Sequence, residues 1–171
     1  WGHNGYGRAN NYTGGNAIGV SAGEFHTCAL LNNGNIVCWG YNLYGQAANY
    51  TEGNAIGVSV GIYHTCALLN NGNVVCWGYN EYGQANGYTG GDAIGVSARG
   101  YHTCVLLFNG NIDCWGRNDY GQAADYTGGD AIGVSAGGYH TCALLNNGNI
   151  VCWGENYRGQ ANNYTGGDAI G

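Results

Sequence analysis

The sequence predicts an all-β fold of β-propeller blades or a stacked β-repeat array, with a 38-residue repeat and about three antiparallel strands in each. Three observations carry this. Tryptophan stands at positions 1, 39, 77, 115 and 153, a constant spacing of 38. Cysteines keep the same period in pairs ten apart: Cys28/Cys38, Cys66/Cys76, Cys104/Cys114 and Cys142/Cys152. Between them run short β-branched and apolar stretches bounded by glycine and asparagine, and no segment carries a helical period. The chain divides into a half repeat (1–19) and four full ones (20–57, 58–95, 96–133 and 134–171). No linker interrupts them, so residues 1–171 read as one array.

In the first full repeat the strands are expected at about Ala17–Ala22, His26–Leu31 and Ile36–Gly40, followed by the polar loop "YNLYGQAANYTEGN". The turn sets the register. A two-residue Asn33-Gly34 turn would put the two sulfurs on opposite sides of the sheet, because side chains alternate along a strand. A three-residue loop, Asn32-Asn33-Gly34, with glycine in the left-handed position, pairs Leu30 with Ile36, Cys28 with Cys38 and His26 with Gly40. Only that register allows a disulfide. Closing so short a loop adds about 2–3 kcal/mol in the chain-entropy picture. One face of the hairpin then carries His26, Cys28, Leu30, Ile36 and Cys38; the other carries Thr27, Ala29, Leu31, Val37 and Trp39. Both faces are apolar, so each hairpin needs another on either side.

The string "SAGEFHTCALLNNGNIVCWGYNLYGQA" resembles the repeat of the RCC1 (regulator of chromosome condensation) family in its HT-x-AL … G … WG-x-N-x-x-GQ order. The pattern returns in all four full repeats and, as "WGHNGYGRA", in the half repeat. WD40 blades differ, since tryptophan here is followed by glycine. The resemblance implies propeller blades, seven in most of the family. The short period and paired cysteines look most like the disulfide-bearing secreted type with three-stranded blades, one member of which inhibits a β-lactamase. "GQA" replaces the family's GQLG, and four and a half repeats fall short of seven blades.

Composition narrows the partners. Four arginines and no lysine face ten acidic residues, for a net charge of −6. Nucleic acid is a poor match, because its affinity comes from neutralising phosphates. No apolar run reaches the ~20 residues that span a bilayer, so membrane insertion is not expected. Eight cysteines in four equivalent pairs point to an oxidising, extracellular compartment. Asn-Tyr-Thr at Asn11, Asn49 and Asn163 matches the N-glycosylation acceptor pattern. A chain with no methionine that opens in mid-repeat reads as a processed product or a segment of something longer.

Chemistry offers less. His26, Cys28 and Cys38 share a face and form a zinc-like set, but no fourth ligand is evident and facing cysteines are placed to oxidise. His26, His64, His102 and His140 stand opposite glycines and read as packed, hydrogen-bonded rings. Asp92, Asp130 and Asp168 recur in "GGDAIG"; Asx residues in glycine turns usually satisfy their own backbone, and calcium is the sharper option. No nucleophile–base pair or phosphate-binding loop stands out, so neither an enzyme nor a cofactor is expected. Asp113 breaks an apolar face, and Arg99 or Arg117 is expected to pair with it unless the site is solvated. Two series beside strand ends vary between repeats and mark a candidate binding face: Glu24 and Ile62 in one, Tyr41, Tyr79, Arg117 and Glu155 in the other. The reading is a secreted, non-enzymatic repeat protein with a structural or adhesive role. It assembles through exposed strand edges into a fibre or belongs to a longer array. The alternative is a closed extracellular propeller that binds or inhibits a partner protein through its loops.

Overall fold

A computed structural model describes residues 3–170; Trp1 and Gly2, which open the half repeat, and the terminal Gly171 lie outside that range. The described residues form four three-stranded antiparallel sheets, here called blades one to four. Blade one is β1 (Ala17–Ala22), β2 (His26–Leu31) and β3 (Ile36–Gly40). Blade two is β4 (Ala55–Val60), β5 (His64–Leu69) and β6 (Val74–Gly78). Blade three is β7 (Ala93–Arg99), β8 (His102–Leu107) and β9 (Ile112–Gly116), and blade four β10 (Ala131–Ala136), β11 (His140–Leu145) and β12 (Ile150–Gly154). Each blade is a simple meander, and successive blades stack in sequence order as an open array.

The hairpin register is the one a three-residue loop requires. Leu31 N donates to Asn35 O (2.9 Å), Gly34 sits at φ 75°, and Leu30, Cys28 and His26 face Ile36, Cys38 and Gly40. The same pairing recurs in the other three blades. In each, the two cysteines are joined at an S–S distance of 2.08–2.10 Å, with Cα atoms 4.1 Å apart. The first strand of every blade departs from plain alternation. Register slips between Ala17 and Gly19, and the resulting bulge turns Ile18 out to solvent; Ile56, Ile94 and Ile132 follow.

Stacking buries both hairpin faces. Cys28, Leu30 and Ile36 of blade one pack on Ala55, Val60, Ala67 and Leu69 of blade two, with Trp77 at the margin. The next two junctions repeat this with Cys66, Leu68 and Val74, then with Cys104, Leu106 and Ile112. Polar groups cross each junction in matched pairs. His26 Nε2 donates to Thr65 Oγ1 (2.7 Å), which donates to Gln46 O (2.8 Å). Val60 N donates to Ser21 Oγ (3.1 Å), tying one inner strand to the next. Burial alone holds His26 down to about 4; burial first, then the neighbouring histidines, holds His64 at about 3. His102 sits at about 4 for the same leading reason. These rings are therefore neutral donors inside the stack.

The outer strand edges, taken from sequence as a route to self-association, are partly occupied. The loop after β3 returns so that Ile36 and Tyr50 exchange backbone bonds (2.8 and 2.9 Å), and Asn49 Oδ1 accepts from Cys38 N (2.9 Å). Tyr50 then stacks on Trp77 of the next blade, its hydroxyl held by Asn54. Equivalent single bridges close the start of the outer strand in every blade. Among the described residues, what stays open is a face at each end of the stack. Val20 is 72% exposed where Val58 is half-buried, and Ala17 and Ala22 are exposed where Ala55 and Val60 are buried. At the other end Cys142, Leu144 and Ile150 are only half-buried, although Cys28, Leu30 and Ile36 are buried.

Candidate functional site

Because His26 faces Gly40, the chain entering β2 and the chain leaving β3 emerge at the same end of the blade. A backbone bond fixes their separation there: Tyr41 N donates to Phe25 O (2.9 Å), and the pairs 79/63, 117/101 and 155/139 repeat it at 2.8 Å. Gly40 has φ 112°, and a Cβ on it would meet Phe25 O at 2.7 Å, so the exit has to be glycine. The loop beyond is pinned from inside. Asn42 Oδ1 accepts from Ala47 N (2.8 Å), and the buried Gln46 accepts at Oε1 from Tyr44 N (2.9 Å). The WG-x-N-x-x-GQ pattern thus presents the side chain at position 44 on a rigid turn.

The result is a ribbon of aromatic rings across that end of all four blades. Tyr6 meets Tyr41 at 4.9 Å between ring centroids, Phe25 stacks on Tyr63 at 5.1 Å, and Tyr44 meets Tyr63 at 5.5 Å and Tyr79 at 5.0 Å. Tyr82 continues it to Tyr101 at 5.7 Å. Arg117 then takes the place that tyrosine holds in the two preceding repeats, its guanidinium 5.6 Å from the Tyr82 ring and 5.7 Å from Tyr139. Tyr120 meets Tyr139 at 5.7 Å and Tyr157 at 6.4 Å. Most pairs are edge-to-face or tilted, the arrangement aromatic quadrupoles prefer. The rings are half-exposed: Tyr44 44%, Tyr82 45%, Tyr120 42% and Tyr139 39%.

The variable positions singled out in the sequence share this end. Tyr41, Tyr79 and Arg117 are ribbon members, and Arg117 also donates to Asp119 (2.5 Å). Glu24 and Ile62 line a recess of about 290 Å³ where the β1–β2 turns of successive blades converge, together with Arg99 and Tyr139. Glu155 accepts from Gln160 Nε2 (3.1 Å) in blade four. Missed in the sequence were Phe25, Tyr63, Tyr101 and Tyr139, and Tyr6, Tyr44, Tyr82 and Tyr120. Their aromatic character recurs at the 38-residue period, and that recurrence is the signal in the sequence that points to them.

The remaining candidates go elsewhere. Both cysteines of each pair are consumed in the disulfide, and His26 is spent on Thr65, so the zinc-like set presents no thiolate. Asp92, Asp130 and Asp168 do not close on their own backbone but take the hydroxyls of Tyr88, Tyr126 and Tyr164, as Asn16 and Asn54 take those of Tyr12 and Tyr50. The Asp92 bond, with burial behind it, pushes Tyr88 up to about 12. Asp113 pairs with neither arginine. It is half-buried opposite Val105, and burial first, then the carboxylates of Asp125 and Asp92, raises its pKa. Asn11, Asn49 and Asn163 are all exposed. Asn163 Oδ1 accepts from Cys152 N as Asn49 does from Cys38 N, and Asp125 does the same for Cys114 N.

Comparison with known proteins places this geometry. The regulator of chromosome condensation (RCC1) repeat pattern matches residues 17–46, 55–84, 94–122 and 131–160. No curated protein matches the sequence. Among solved structures, the ectodomain of the Physcomitrella patens receptor kinase CR4 is 28% identical, with a TM-score of 0.70, over 81% of this chain and 41% of that one. The CRINKLY WD40 ectodomain of the Arabidopsis thaliana receptor kinase ACR4 is 27% identical, with a TM-score of 0.68, over 85% and 55%. Prp20p of Saccharomyces cerevisiae, whose structure was described with its binding to Gsp1p and histones, shares the fold at 17% identity and a TM-score of 0.71, over 85% and 47%. The chain spans about half the length of the structures it matches.

Proposed function

Because the chain belongs to the regulator of chromosome condensation (RCC1) repeat family, we propose that it is a non-enzymatic, extracellular protein-recognition unit within a larger repeat array, engaging its partner through the aromatic ribbon. The observation that carries this reading is the run of ribbon groups across four blades on one end of the stack, with Arg117 bridging the rings of blades two and three to those of blade four. Half-exposed tyrosines on rigid turns supply large contact area at low entropic cost, which is why such rings dominate protein interfaces. An extracellular setting is supported by four disulfides and by the two receptor ectodomains among the similar structures. Asn11, Asn49 and Asn163 are then glycan acceptors on exposed loop positions. A role without catalysis is supported by the receptor ectodomains among the similar structures.

A second reading, structural assembly, is favoured by the open end faces. Every internal junction buries what the terminal blades expose, so further blades, from the same polypeptide or from another copy, fit those faces. With the start of each outer strand already bridged, assembly of this kind is favoured through the stacked faces over added strands.

The test immobilises the chain beside a ribbon variant (Tyr44→Ser, Tyr63→Ser, Tyr79→Ser) and an opposite-end variant (Phe108→Asn), and exposes all three to extracellular proteins of the producing organism. Recognition through the ribbon predicts a partner retained by the wild type and by Phe108→Asn and lost by the triple variant. A partner retained by all three, or none retained by the wild type, would contradict it.

A further inference from the structure

We propose that the middle of the ribbon binds the cationic side chains, guanidinium or ammonium, of a basic segment in the partner polypeptide. The inference rests on the ribbon being the recognition face, and it specifies what that face recognises.

The chain itself shows what the rings accept. Two of its four cations are seated on ribbon rings: Arg8 lies 5.6 Å from the Phe25 ring, and Arg117 lies between Tyr82 and Tyr139 at 5.6 and 5.7 Å. These distances fall within the range where a cation is attracted by the negative face of a ring. Arg117 is informative because its position holds tyrosine in the two preceding repeats. A guanidinium has replaced a ring there without interrupting the run, so the slots between ribbon rings take a planar cation.

Between these two arginines, over blades one and two, the ribbon includes Tyr41, Tyr44, Tyr63 and Tyr79, with a carboxylate on either side. Glu81 accepts from the Tyr79 hydroxyl. Glu24 borders the adjoining recess and lies close enough to add to the effects of burial and neighbouring tyrosines on Tyr63 and Tyr101. Arg99 lines the same recess. Rings with acidic neighbours favour a cation twice over, through the quadrupole and through charge. At this end of the molecule the four arginines offset Glu24, Glu81, Asp119 and Glu155, so the net −6 lies mostly elsewhere. The local attraction for a cation comes from Glu24 and Glu81 beside the rings of blades one and two. A neutral polysaccharide would also stack on tyrosines, but it would gain nothing from the charges of Glu24 and Glu81.

The probe is a hexa-arginine amide, with the uncharged isostere hexa-citrulline amide as its control, titrated by calorimetry into the intact chain at about 0.15 M salt. The arginine peptide is expected to bind at least about tenfold tighter. The replacements Tyr44→Leu and Tyr63→Leu should each weaken it by about two- to fivefold. Glu81→Gln should weaken it as well, whereas Asp130→Asn, the same change in net charge at the opposite end, should leave it unchanged. Tyr44→Phe, which keeps the ring, should bind like the wild type and separates ring chemistry from a folding defect. Equal binding of the citrulline peptide, tighter binding of a neutral hexasaccharide, or equal losses from Asp130→Asn and Glu81→Gln would overturn the proposal. If the ribbon variant loses the natural partner while arginine and citrulline peptides bind alike, only the cation chemistry falls. If the ribbon variant loses nothing, both readings fall.

Discussion

Thr65 has two jobs in one hydroxyl: it accepts from His26 of the preceding blade and donates to the carbonyl of Gln46. Thr103 and Thr141 repeat the arrangement with His64 and His102. Replacing Thr65 with valine keeps the shape and strands a buried imidazole N–H, so it should cost about 1–3 kcal/mol in urea unfolding, and Thr65→Ser should recover part of that. The same rings set an acid limit. His26, His64 and His102 titrate at about 4, 3 and 4 in the fold against 6.5 for an ordinary histidine. The unfolded chain therefore binds protons first, and the stability these neutral rings contribute above about pH 6.5 is lost as pH falls towards 4. Each contributes a slope of roughly 1.4 kcal/mol per pH unit across that window. Urea midpoints at pH 7 and pH 4.5 should differ accordingly, and a flat profile would show that these rings are solvated. The packed histidine was legible from the glycine opposite it, but not its partner, which stands one repeat away. Asp113 teaches the same lesson: its repeat supplies two arginines, yet Arg117 is taken by Asp119.

At the level of the hairpin, most of the architecture was readable. Side-chain alternation and the Asn-Asn-Gly loop leave one register in which Cys28 meets Cys38, and that register dictates two apolar faces. The bulge in β1 was not readable, because "AIGVSA" alternates acceptably with or without it; packing decides, and it sends Ile18 outward. Nor was the return loop, whose tyrosine ties back to an Asx four residues later and bridges the start of the outer strand. The hairpin cross-links differ by position. Cys66 is fully buried and packed against blade three, whereas Cys142 is half-buried at the open end. The double change Cys66→Ala, Cys76→Ala should lose about 2–3 kcal/mol of chain-entropy stabilisation plus a cavity cost. The double change Cys142→Ala, Cys152→Ala should lose the first with little of the second. Guanidinium unfolding of both variants reads the difference directly.

Over the whole molecule, one motif meets four environments. Leu30, Leu68 and Leu106 are buried at 4–5% exposure inside junctions, while Leu144 occupies the equivalent place on the open face of blade four. Leucine-to-alanine changes at the first three should cost about 2–5 kcal/mol each, and Leu144→Ala clearly less. An equal cost at Leu144 in dilute solution would mean that another copy covers that face. The ribbon belongs to this scale too. It joins rings from every blade, so it becomes visible only when repeats 38 residues apart are set side by side. Hydroxyl-radical footprinting of the chain alone and with its retained partner tests the central claim most directly. Recognition through the ribbon predicts protection of Tyr44, Tyr63, Tyr79 and Tyr82, with Tyr50, Tyr88 and Tyr126 unchanged. Protection confined to the open end faces, at Val20 or at Leu144 and Ile150, would contradict it.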